Sequence, residues 1–173
     1  TNAIQNKAVF DALKLKADSV ALAAYQPKYN ADYVATKDFN YSELPTDAYV
    51  VDLNGYTMTI NDSEVGIFAT SCMNGNIQIK VNGIEIDEVD IINTTINADN
   101  GIKFNIIEPV FYNCKISRAI INDGAAEFYD CDLTSCTFGV PPIMRNCIIS
   151  SSEITVNTND GGDMWNVIID YEI

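Results

Sequence analysis

Phe111-Tyr112-Asn113-Cys114-Lys115-Ile116 decides the fold of this chain, because the same six-residue phrase recurs around it. The phrase is a large apolar residue, any residue, Asn or Asp, a small or β-branched residue, any residue, then Ile or Leu. It also reads Ile91-Ile92-Asn93-Thr94-Thr95-Ile96, Phe128-Tyr129-Asp130-Cys131-Asp132-Leu133, Met144-Arg145-Asn146-Cys147-Ile148-Ile149 and Met164-Trp165-Asn166-Val167-Ile168-Ile169. The starts lie roughly 16 to 20 residues apart. A period of this length marks a solenoid, in which each unit buries its apolar face only by stacking on its neighbours.

The phrase has a mechanical meaning. Side chains alternate along a straight strand, so apolar residues three apart would face opposite ways. Phe111 and Cys114 both need to point inward, so the strand must bend between them. Asn and Asp tolerate the left-handed backbone region better than other non-glycine residues. The bend is therefore expected at Asn93, Asn113, Asp130, Asn146 and Asn166, which stacking would align into a ladder. Thr94, Cys114, Cys131, Cys147 and Val167 would form an inward column beside it.

This apolar-x-Asn-Cys-x-Ile phrase resembles the strand, corner and strand of the right-handed parallel β-helix in pectate-lyase-like proteins. The resemblance covers residues 90–173, and the fold it implies serves many functions. The competing arrangement is a set of irregular hairpins in a sandwich.

Working outward to the N-terminus, residues 2–24 read as a helix. Asn2 is placed as an N-cap, with Gln5 three residues later as in a capping box. Ala3, Asn6, Phe10, Leu13, Ala17, Val20 and Ala24 repeat at spacings of three and four, the heptad of a coiled-coil seam. A helix this short needs packing partners to persist; the alternative is an amphipathic helix lying on its own domain. Asn2-Ala3-Ile4-Gln5-Asn6-Lys7-Ala8-Val9, with Ala12-Leu13 and Lys16-Ala17-Asp18, resembles a segment of bacteriophage tail-fibre and receptor-binding proteins. That resemblance covers about the first 18 residues. It implies a homotrimer, for which the heptad spacing supplies the seam Phe10, Leu13, Ala17 and Val20, with assembly in the host cytoplasm, a virion location and other tail proteins as partners.

Gln26 before Pro27 ends the helix, because proline disfavours a helical predecessor. Residues 27–45 form a connector rich in Tyr and Phe, a composition unlike a disordered linker. It is expected to pack along the neck or the first coil, with glycan contact as the lesser alternative. Residues 46–89 are β-rich. Leu53-Asn54-Gly55-Tyr56 and Val81-Asn82-Gly83-Ile84 fit either hairpins or β-helix corners, which leaves the number of coils before Asp90 open. The expected organisation is thus all-β with an N-terminal helix: neck 1–26, connector 27–45 and β-helix domain 46–173.

A formal charge of −14 argues against nucleic acid and anionic membrane surfaces as partners. No apolar run is long enough to span a bilayer. No secretory signal opens the chain, and an initial Thr1 rather than Met is expected of a trimmed or processed piece. Five cysteines exclude a complete disulfide framework, and three of them fall on the inward column, where packing is their expected role. With no histidine anywhere, the common zinc sites and Ser-His-Asp arrangements are excluded. Asn157 to Asp163 carries oxygen ligands but lacks the spacing of known calcium loops, so it reads as a plain turn. No cofactor or metal is expected.

Carboxylate chemistry remains, as in glycoside hydrolysis by paired acids. Glu127, Asp132 and Glu153 lie closest to the repeat strands, and a tailspike depolymerase is the enzymatic alternative. A bacterial surface adhesin is a third. The second residue of the phrase gives an outward column of Ile92, Tyr112, Tyr129, Arg145 and Trp165; the fifth gives Thr95, Lys115, Asp132, Ile148 and Ile168. An outward apolar stripe needs a partner. Tyr112, Tyr129 and Trp165 are the candidate binding residues, for a neighbouring subunit in the first place and a host-surface glycan in the second.

Overall fold

A computed structural model describes residues 30–62, 71–121, 125–140, 142–150, 153–154 and 163–170. The expected helical neck, with Phe10, Leu13, Ala17 and Val20, lies outside the described residues. So does all of the Asn157 to Asp163 turn except Asp163.

The described chain is a parallel β-solenoid. Its strands lie on three faces and pair in parallel. The first face stacks Tyr33–Val34, Val50–Asp52, the start of Ser71–Ile79, the start of Asp90–Ala98, Val110–Tyr112, Glu127–Tyr129, Ile143–Arg145 and Met164–Trp165. The second face stacks Phe39–Asn40, Thr57–Ile60, the far halves of the two long strands, Lys115–Ser117, Asp132–Thr134, Ile148–Ser150 and Ile168–Asp170. Because Ser71–Ile79 and Asp90–Ala98 run across the corner, these two faces join into one 14-stranded sheet. The third face is a 5-stranded sheet of Glu85–Ile86, Phe104–Ile106, Ala119–Ile121, Thr137–Phe138 and Glu153–Ile154.

The corner between the first two faces is the expected bend. Asn93, Asn113, Asp130, Asn146 and Asn166 all have φ between 51° and 55°. Reversing the backbone there puts two inward residues three apart, as the phrase requires. Phe111 and Cys114 are accordingly buried, as are Phe128 and Cys131, and Met144 and Cys147. In-register stacking brings like onto like: the Phe111 and Phe128 rings lie 5.0 Å apart and 7° from parallel.

The inward column is more than filler. Cys114 Sγ donates to Tyr112 O at 3.3 Å, Cys131 Sγ to Tyr129 O at 3.2 Å and Cys147 Sγ to Arg145 O at 3.3 Å. Thr94 Oγ1 makes the same contact to Ile92 O at 2.8 Å. A small side chain with one donor, placed just after the bend, thus serves the carbonyl two residues back while fitting the crowded corner.

Two open questions close. Val50–Asp52 and Thr57–Ile60 flank Asn54-Gly55 but pair with other strands and not with each other, so this Asn-Gly is a corner and not a hairpin. Asn82-Gly83 likewise joins strands of different sheets. The described part of the 27–45 connector forms the first coil: Tyr33–Val34 pairs with Val51–Asp52, and Phe39–Asn40 with Met58–Thr59.

Candidate functional site: the outward aromatic column

The second position of the phrase builds a continuous column on the first face. Met73, Ile92, Tyr112, Tyr129, Arg145 and Trp165 are successive partners in register. Parallel in-register pairing repeats one side chain above another at the strand spacing, about 4.8 Å, so the column follows directly from the repeat.

Ile92 departs from the sequence reading. It faces away from the main core cluster, yet it is only 3% exposed. It sits between Met73 and Tyr112 in the column, and so belongs to a covered part of the outer surface, not to an open stripe.

Tyr112 and Tyr129 stack, with centroids 5.0 Å apart and planes 12° from parallel. Each ring thereby closes the facing side of the other. A sugar stacks on an open ring face, so the pair is a poorer platform than its place in the column suggests. The Tyr129 hydroxyl donates to Glu127 Oε2 at 2.5 Å. That bond first, then burial and the Glu127 charge, pushes the Tyr129 phenol up to about 12. The Tyr112 phenol is also raised, by burial first and then by the charges of Asp90 and Glu127.

Above the pair, Arg145 turns to Asp163. Its guanidinium pairs with the Asp163 carboxylate at 2.5 Å and donates to Asp163 O at 2.8 Å and Met144 O at 3.2 Å. Trp165 follows in register and is 61% exposed. It is the aromatic of this column with an open face, on the last described rung.

The candidate acids stand on strands of three different faces, Glu127 on the first, Asp132 on the second and Glu153 on the third. The fifth position of the phrase forms its own column on the second face, where Lys115 is exposed and Asp132, Ile148 and Ile168 are half-buried.

Two features lie beyond the sequence reading. Cys72-Met73-Asn74-Gly75-Asn76-Ile77 is a further copy of the phrase, with Asn74 at φ 60° and Cys72 opposite Ile91. Its signal was present, but its first residue is Cys where the other copies carry a large side chain. Arg118 and Ser135, at φ 65° and 55°, form a second tight corner between the second and third faces. Arg118 donates from Nη1 to Asn97 Oδ1 at 3.0 Å and to Ala98 O, and from Nη2 to Asn100 Oδ1 at 3.0 Å, pinning the wider loop of the rung before. Neither residue type marks a left-handed corner.

Comparison with protein-family models, with curated proteins and with solved structures finds no match to this chain.

Proposed function

We propose that this chain is a fibre-type attachment protein similar to bacteriophage tail fibres: a homotrimer whose helical neck carries a right-handed β-helix to a host surface. The neck occupies residues 1–26, and the β-helix presents its first face outward for subunit contact and attachment. The observation that carries this reading is Trp165, a large apolar side chain 61% exposed at the end of a column whose other members are buried or half-buried. An indole in that position calls for a partner surface. The phrase at residues 2–9 adds the family resemblance.

Catalysis has less behind it. A retaining or inverting pair needs two carboxyl groups roughly 5 to 9.5 Å apart across one bond, and Glu127, Asp132 and Glu153 occupy three different faces. The depolymerase reading would be revived by new reducing ends after incubation with capsular polysaccharide.

Light scattering at micromolar concentration tests the assembly. The expected mass is that of three 19.0 kDa chains. A monomer would remove the fibre reading, and failure of the trimer to adsorb to any candidate host cell would remove the attachment role.

A further inference from the structure

We propose that a groove beside the first corner binds a hard divalent cation, with calcium the best match, at the rung where an aspartate, Asp130, takes the corner position among the described residues. Elsewhere the ladder obeys one rule: each amide Nδ2 donates to the Oδ1 of the rung before. Asn74 donates to Asp52 at 3.2 Å, Asn93 to Asn74 at 3.2 Å and Asn113 to Asn93 at 2.9 Å. Further on, Asn146 donates to Asp130 at 3.2 Å and Asn166 to Asn146 at 2.8 Å. The link that does not fit lies between Asp130 and Asn113. An ionised carboxylate accepts but has no N–H to give. Asn113 Oδ1 therefore lacks the amide donor that Asn74, Asn93 and Asn146 each receive.

A groove of about 250 Å³ opens at this break, and Asn113, Lys115, Asp130 and Asp132 line it. Asp132 Oδ1 is shut off from solvent and has no hydrogen-bond partner. A buried carboxylate oxygen left without a donor or cation is unfavourable. Asn113 Oδ1 and the two Asp carboxylates form an oxygen set of the kind calcium takes, with water completing the shell. Calcium fits better than magnesium, because a half-open groove with irregular ligands does not impose an octahedron. The chain's charge of −14 concentrates divalent cations near its surface. One internal competitor is the Lys115 ammonium, carried on the strand that pairs with Asp132.

Thermal melts of the full chain in chelator and in calcium test this. A site with few protein ligands falls with the weaker calcium modules, Kd on the order of 10⁻⁴ to 10⁻³ M. About 10 mM calcium should then raise the melting temperature by a few degrees, and magnesium by less. Asp132→Asn keeps the side-chain shape and should abolish the calcium shift. Asp130→Asn should abolish it too, while raising the melting temperature in chelator, because its new amide can donate to Asn113. Terbium luminescence excited through tyrosine gives a second readout, expected in the unaltered chain and lost in Asp132→Asn. Lys115→Ala should enlarge the calcium shift by removing a competing charge. Identical melts with and without calcium would overturn the proposal. So would a shift that persists in the Asp130→Asn, Asp132→Asn double variant. If Lys115→Ala destabilises the chain while calcium does nothing, the ammonium is Asp132's partner and no cation site exists.

Discussion

At the scale of single residues, the corner columns carry the sharpest expectations. Cys131 lies fully buried between Cys114 and Cys147, with its thiol pushed well up by burial first. Cys131→Asp would strand a carboxylate there, at a cost of several kcal/mol, roughly the margin of a whole domain. Cys131→Ala loses only the sulfur and its contacts to Tyr129 O and Phe111 O, about 1 kcal/mol. Denaturant melts should separate the two variants widely; equal small losses would break the register. Tyr129 gives a pH test. Its phenol rises from 10.0 to about 12 in the folded chain, chiefly through the bond to Glu127. The folded state therefore holds the proton more tightly, so the contribution is complete below pH 10.0 and fades as pH rises toward 12. Tyr129→Phe should remove that part of the alkaline loss of stability. Coincident stability curves for the two proteins over this window would mean that Glu127 does not hold the phenol.

At the scale of elements, the tightest constraint falls on Gly75 within Ser71–Ile79. It occupies the inward column opposite Thr94. A Cβ there would lie 2.4 Å from Leu53 Cβ and 2.6 Å from Tyr56 O. Gly75→Ala should cost about 1–3 kcal/mol, since one neighbour is backbone and cannot rotate away. A urea midpoint unchanged by Gly75→Ala would show that the Leu53 corner yields freely. This position also shows why the repeat was legible only in part. From Asp90 onward the first corner has constant length and a constant residue pattern, so Asn93 and Asn113 announce it. Before Asp90 the first corner stays tight at Asn74 but opens into Asn54-Gly55 one rung earlier, while Asn82-Gly83 lies between the second and third faces; both dipeptides fit hairpins equally well. At the second tight corner, Arg118 and Ser135 adopt a left-handed backbone between paired strands. Tertiary packing decides such a residue, and its own side chain says nothing of it. Ile92 misled for the opposite reason: alternation gives the direction of a side chain, not what covers it.

At the scale of the whole molecule, the aromatic column is where the proposed assembly and the proposed attachment would part company under mutation. Trp165→Ala in a subunit interface would remove a large buried area, at roughly 3 kcal/mol or more per subunit, and would lower the trimer mass seen in light scattering. In a receptor site the same change would leave mass and melting temperature intact and weaken adsorption to cells. The first outcome is expected; the second would transfer Trp165 to the receptor. The parallel ladders have one more consequence, in the mechanics of the chain. Every strand lies across the solenoid axis, so its backbone hydrogen bonds run along that axis. Tension applied lengthwise peels one rung at a time instead of shearing a sheet at once. Each rung of some 16 to 20 residues would release roughly 50–70 Å of contour as it goes. Such a rod yields in small steps and lengthens under load before it fails, whereas a sideways load must first shear strands held on both edges.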